Sequence, residues 1–393
     1  MEKLLQMKKA IAAAIILLFL VLALVYSAQH HFINETEETK QCYVGVSFCG
    51  NTASEAKLLI DRIKNYTNLF VLQSGPISTN ETATTQICDY AVASGLKIIV
   101  YFGDLAPRIL AEKNLTWRSS WVESANTRYG ENFLGIYYYD ERGGRYLDVD
   151  KNATQWHLPP NSTYDSVASG FSNGFLNDPG TVALKAQSTP IFCSDYVLYW
   201  FDYISGYDVV LAQMGWNQSL VKDIALIRGA ATLQQKDWGA IITWKYTNPP
   251  YLDSGEAIYD QMISAYETGA KYIVIFNYPY PNDNPYGIML DEHFEALEKF
   301  WNNTTQEKVT HNSILAEAVL VLPKNYAFGL RNPEDKIWGF WGPDEKTPKI
   351  WSITQELLSR YGLHLDIVYD DSTFPVSDKY QNVYYWNQTV SFD

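Results

Sequence analysis

From residue 43 onward the chain alternates between short, unbroken apolar runs and longer segments whose apolar positions recur three and four residues apart. The runs Tyr43–Cys49, Leu69–Gln73, Lys97–Phe102, Leu134–Tyr139, Asp208–Gln213, Ala240–Trp244 and Tyr272–Asn277 predict β-strands. Continuous apolar runs are what a parallel sheet covered on both faces requires. Helices are predicted over Thr52–Tyr66, Ala83–Ser94, Ser119–Tyr129, Tyr196–Tyr203, Leu220–Gln235, Glu256–Thr268 and Asp291–Trp301. This alternation predicts an α/β fold of the (β/α)8 TIM-barrel kind. Seven strand–helix units are clear; the eighth strand is expected inside the Asn-, Ser-, Gly- and Pro-rich insertion 148–190, around Thr181–Leu184.

A second pattern follows the polar tract Asn302–Asn312, which reads as a linker. Ala318–Leu322, Leu365–Tyr369 and Val383–Trp386 predict strands, and Pro348–Tyr361 predicts a helix between the first two. The expected organisation is a barrel over 42–303 and a small three-layer α/β domain over 314–393. Ahead of them, Lys3, Lys8 and Lys9 precede an apolar run from Ala10 to Tyr26, close to the ~20 residues that span a bilayer. The segment 1–28 therefore reads as a signal anchor with the basic end inside and the body outside the cell, followed by a polar tether over 29–41. A cleaved signal peptide, and hence a secreted protein, is the alternative.

Composition sharpens this picture. Sequons stand at Asn34, Asn65, Asn80, Asn114, Asn152, Asn161, Asn217, Asn302, Asn303 and Asn387, as an exported glycoprotein would carry. Cys42, Cys49, Cys88 and Cys193 allow three disulfide pairings, with Cys49–Cys193 above the barrel as one guess and buried free thiols as the alternative. The net charge is −14, and residues 29–393 alone carry −16. That excludes a nucleic-acid partner, which demands a basic surface, and disfavours polyanionic sugars. The 29 Tyr and 12 Trp suit a surface that stacks on sugar rings, although ordinary packing uses them equally.

The candidate chemistry sits in Leu134–Gly144, LGIYYYDERGG: a strand that ends in adjacent carboxylates and two glycines that let the chain turn away. Catalytic groups of a barrel lie where its strands end. Glu141 is the expected general acid, its carboxyl raised by the aromatic walls Tyr137, Tyr138 and Tyr139, with Asp140 as orienting partner. The alternative is a salt bridge from Glu141 to Arg142 or Arg145. Asp104, ending the third strand, is a second catalytic candidate or a turn aspartate. Asp253 and Glu256 follow the sixth clear strand, where Asp253 or Ser254 caps the next helix and Glu256 suits its first turn. Tyr139, Gln73, Gln213, Trp216, Trp244, Lys245, Tyr246 and Asn277 are strand-end groups suited to binding sugar hydroxyls or ring faces. Asn217 belongs with them but is also a sequon. Asp291, Glu292 and His293 fit the start of a helix. No HExxH, P-loop, G-x-S-x-G or dinucleotide motif is present, so no metal or other cofactor is indicated.

With these residues in place, the chain from Cys42 to Trp301 resembles the TIM-barrel glycoside hydrolases. Tyr139-Asp140-Glu141-Arg142-Gly143-Gly144 is similar to the D-E-P-G-G ending of uncharacterised archaeal glycosidase-like proteins, with Arg142 in place of proline. YDVVLAQMGWN, WGAIITWKY and YIVIFNYP are similar too, and the trailing domain resembles the amidotransferase-like domain of some β-galactosidases. The resemblance implies hydrolysis of a glycosidic bond, with a carbohydrate substrate. One departure stands out. Many retaining members carry a nucleophilic Glu after strand seven, whereas this chain has Phe276-Asn277-Tyr278-Pro279 at the end of its last barrel strand. A non-catalytic carbohydrate-binding surface protein is therefore the second expectation. Lys324–Trp341, KNYAFGLRNPEDKIWGFW, is expected to bind a ligand at the edge of the small sheet, to lean over the barrel mouth, or to form a domain interface.

Overall fold

A computed structural model describes residues 42–149, 157–216, 218–279, 284–376 and 379–388. Eight parallel strands close on one another in sequence order: β1 (Tyr43–Phe48), β2 (Leu69–Leu72), β3 (Lys97–Tyr101), β4 (Phe133–Tyr137), β5 (Ile191–Asp195), β6 (Val209–Met214), β7 (Asp237–Ile242) and β8 (Tyr272–Ile275). β1 pairs with both β2 and β8, which closes the barrel. Alternate strand residues fill the interior, among them Leu69, Val71, Ile99, Tyr137, Phe192, Leu211, Ile241 and Val274. The apolar runs read from the sequence are these strands, shifted by one to three residues at their ends.

The eighth strand lies elsewhere than expected. Thr181–Leu184 belongs to the helix Pro179–Ala186, which Asp178 caps through the Thr181 backbone N–H and which carries proline in its first turn. The true β5 is Ile191–Asp195, where only three apolar residues precede Ser194 and Asp195. The insertion also holds the helix Tyr164–Leu176, started by a capping box of Thr163 and Ser166. It enters where the barrel is most weakly paired, since β4 and β5 match only Ile136 with Ile191 and Tyr137 with Phe192.

The membrane-spanning expectation is corrected. Among the described residues no helix is long and apolar enough to cross a membrane, and the run Ala10–Tyr26 lies outside the described residues. The single-pass localisation falls with it. Cys49 and Cys193 are free thiols, so their expected pairing is also set aside; Cys193 is buried within β5 rather than lying in a loop.

After the barrel, the helix Asp291–Thr305 runs into the tract read as a linker. A second parallel sheet follows, built from β9 (Ala318–Leu322), β10 (Leu365–Tyr369) and β11 (Asn382–Tyr385) in the order β10-β9-β11. The helix Thr347–Tyr361 links β9 to β10. This sheet packs on the barrel helix Leu220–Gln234, and residues 43–393 form one compact unit. Arg228 of that helix makes the joint: its Nε donates to Asp366 Oδ1 at 2.8 Å, and its other nitrogens donate to the carbonyls of Ile314, Leu363 and Leu365. The loop 324–341 packs on the helices that follow β4 and β5. Trp338 is fully buried against Phe201, Phe171 and Tyr146, and Arg331 pairs with Asp148 through both terminal nitrogens.

Candidate active site at the carboxyl face of the barrel

Strand β4 hands the chain to the site through three tyrosines with different surroundings. Tyr137 points into the barrel and is fully buried. Tyr138 and Tyr139 do not wall the carboxylates. Their rings lie 4.5 Å apart and pack on Phe175 of the insertion helix, and the Tyr138 hydroxyl donates to Asp178 at 2.8 Å. The strand breaks because Tyr139 and Glu141 take left-handed backbone angles, with φ of 57° and 52°. Such a conformation is uncommon for residues with a side chain and clusters where a site must aim its groups.

The pair is held from below by one network spanning β4, β5 and β6. Asp140 Oδ1 accepts from the Tyr137 hydroxyl at 2.5 Å and from Ser194 Oγ at 3.0 Å. Gln213 Nε2 reaches Ser194 Oγ at 3.0 Å and Glu141 Oε1 at 2.8 Å. The Glu141 backbone N–H donates to the Ser194 carbonyl at 2.9 Å. Burial, and then the Glu141 charge beside it, push the Asp140 carboxyl up to about 6, against the Tyr137 and Ser194 hydrogen bonds that favour its charged form. Of the three tyrosines expected as an aromatic wall for Glu141, Tyr137 binds Asp140 and Tyr138 and Tyr139 pack on Phe175. Neither Arg142 nor Arg145 forms a salt bridge with Glu141. The Arg142 guanidinium lies 3.7 Å from the Phe171 ring centroid and donates to Ser205 Oγ at 3.0 Å, while Arg145 is exposed.

Gly143 and Gly144 do not turn the chain away; they open the helix Arg142–Asp148. Their lack of a side chain serves close approach. A Cβ on Gly143 would stand 2.7 Å from Leu198 Cβ, and one on Gly144 would overlap the Tyr196 ring. That space lets Asp195 at the end of β5 accept from the backbone N–H groups of Gly143, Gly144, Tyr196 and Val197. Asp195 is a residue that the sequence reading missed, because its strand was missed. The signal was the short run IFCSD after Pro190.

The other nominated groups divide. Asp104 caps its own turn, accepting from the Ala106 N–H at 2.8 Å. Asp253 accepts from the Ser254 N–H at 3.1 Å and stands 3.8 Å from Lys245 Nζ. Ser254 is the helix cap, and Glu256 lies in the first turn. Asn277 is buried, and its Oδ1 accepts from the Ile288 N–H at 3.2 Å. Gln73 Oε1 is buried with no hydrogen-bond partner. Trp216 and Trp244 have ring planes within 4° of parallel, centroids 6.4 Å apart, and Tyr278 lies 5.5 Å from Trp244. Trp216 and Tyr246 are exposed, so this aromatic shelf faces solvent at the ends of β6, β7 and β8. Asn217 lies outside the described residues. His293 is a buried core histidine, satisfied by the Leu290 N–H and the Asp253 carbonyl.

No protein-family profile and no curated protein matches the sequence. Solved structures do. A GH99 endo-alpha-mannosidase from Bacteroides thetaiotaomicron is 10% identical with a TM-score of 0.42, covering 68% of this chain and 98% of its own. A glycoside hydrolase family 5 enzyme from Prevotella bryantii is 12% identical with a TM-score of 0.37, covering 67% and 97%. D-psicose 3-epimerase from Clostridium cellulolyticum is 10% identical with a TM-score of 0.36, covering 67% and 97%. These likenesses carry no argument about chemistry; the barrel rests on its own strand register.

Proposed function

We propose that this chain hydrolyses a glycosidic bond at the carboxyl face of its barrel, with Glu141 as proton donor. The observation that carries the reading is the Asp140–Glu141 pair, fixed over the barrel by Tyr137, Ser194 and Gln213. Asp140 keeps a proton next to Glu141 up to about pH 6. Glu141 gives a proton to the leaving oxygen as the bond to the anomeric carbon breaks. Water then adds to that carbon, and its proton returns to the carboxyl pair. The Trp216–Trp244 shelf offers ring faces to a neutral sugar.

A second reading is a carbohydrate-binding protein without turnover. It is favoured by Asp104 and Asp253, the other nominated carboxylates, each of which is engaged in its own loop. The test is a screen of glycans and chromogenic glycosides with the soluble fragment from Gln41 onward, run beside Glu141→Gln. Turnover lost in the variant supports hydrolysis. Equal binding without turnover in both proteins supports the second reading.

A further inference from the structure

Asp202, in the helix Tyr199–Ile204, is fully buried, and neither carboxyl oxygen receives a hydrogen bond from any donor. A charge cannot be buried in this way without a partner, so this carboxyl is neutral and carries its proton. That proton needs an acceptor, and the acidic neighbour facing it is Asp195. Asp195 is also fully buried, but it collects four backbone N–H groups, an environment built for the charged form. Two of those donors, Gly143 and Gly144, directly follow the acidic pair and Arg142.

We infer that Asp195 and Asp202 share one proton, and that this proton lets Asp195 act as the positioning residue that latches the Asp140–Glu141 turn onto β5. The latch deepens the glycosidase reading and rests on it for its catalytic meaning. Its geometry does not depend on turnover. Protonated Asp202 donates to Asp195, and Asp195 in turn accepts from Gly143 and Gly144 as well as from Tyr196 and Val197. Loss of the shared proton would set two like charges side by side in the interior. The groups around Asp202 are few. Arg142 is the cation facing it. Tyr199 and Tyr203 lie on its own helix, Tyr207 in the loop that follows, and Cys193 on β5. Asp223 lies beyond Tyr199. Among the described residues Arg142 is the cation that stands against the second negative charge, and its nitrogens already serve Ser205 and the Phe171 carbonyl.

Hydrogen exchange over residues 140–148, read by mass spectrometry on the whole chain and corrected for intrinsic rates, tests the latch. Asp195→Asn turns an amide N–H group toward backbone donors, so exchange in this segment should rise on the order of tenfold. In the wild type the same segment should lose protection as the pH is raised. Asp202→Asn keeps a donor to Asp195 but has no proton to lose, so protection should persist at all pH values. Infrared spectra should show the carbonyl stretch of a protonated carboxylic acid at neutral pH, missing in Asp202→Asn. Wild-type exchange in Asp195→Asn, or an unchanged alkaline loss in Asp202→Asn, overturns the latch. If Asp195→Asn does not fold, the pH comparison between wild type and Asp202→Asn decides alone. Neither readout needs a substrate, so failure of the hydrolysis reading and failure of the latch are seen separately.

Discussion

Gln213 reaches across from β6 to hold Glu141, its Nε2 standing 2.8 Å from Glu141 Oε1. One nitrogen thereby ties the proton donor to the barrel floor, because the same atom also meets Ser194 at 3.0 Å. Replacing it with the apolar, similarly sized Leu removes the donor and leaves the cavity filled. Gln213→Leu should cost about 0.5–1.5 kcal/mol, the worth of that hydrogen bond, a fall of roughly two- to tenfold in kcat with KM little changed. Steady-state kinetics on the glycoside found by screening gives that split.

Asp140 should titrate near pH 6, and Glu141→Gln should bring it down by removing the neighbouring negative charge. The sign for stability follows. A carboxyl raised in the folded state stabilises most below its unfolded value, about 4, and this contribution is lost as the pH rises to about 6. Carbon-detected NMR of labelled aspartate, compared in the two proteins, reads the shift. An identical midpoint in both would detach Asp140 from Glu141.

Gly144→Ala should destabilise the fold by about 1–3 kcal/mol, since the new methyl group has to displace the Tyr196 ring. Gly170→Ala is the matched control. It lies in the helix Tyr164–Leu176 with nothing near its missing Cβ, so the substitution should stabilise by about 0.5–1 kcal/mol. Chemical denaturation of both variants separates close approach from helix propensity.

Arg228→Ala should be the most damaging of these changes. It leaves Asp366 buried with its cation gone, and breaking such a pair costs about 3–5 kcal/mol. The Tyr380 hydroxyl remains on Asp366 at 2.8 Å and offsets part of the loss. Denaturation midpoints measure it, and Arg228→Ala with Asp366→Asn should recover stability because no unpaired charge remains.

Trp216→Ala should weaken carbohydrate binding by roughly tenfold while leaving stability within about 0.5 kcal/mol, because the side chain is already exposed beside Trp244. Titration calorimetry beside a melting curve distinguishes a binding face from packing.

The sequence made some of this legible and hid the rest for physical reasons. Strands such as β6 and β8 were readable because a buried parallel strand is apolar on both faces. β5 was not, since Ser194 and Asp195 are polar inside the barrel wall, where one joins the acidic pair and the other latches its turn. The acidic pair itself was visible as two carboxylates at a strand end. Of its partners, Gln213 was legible as a strand-end group but not as the residue that holds Glu141, and Ser194 was not legible at all, since they lie 72 and 53 residues downstream of Glu141 in the chain. The glycines were misjudged because a turn and a close approach call for the same residue type.

The buried Trp338 has a consequence for how the chain comes to be. The indole is packed against Phe201, Phe171 and Tyr146, which cover the β4–β5 side of the barrel. The pairing of β8 with β1 uses no residue beyond Ile275, so the ring can close in a chain that still lacks Trp338, with those aromatic side chains left open to water. Such a sticky, ring-closed precursor would mature only once Trp338 docks. Truncation before Trp338 should yield that precursor as an aggregating species rather than a smaller working protein.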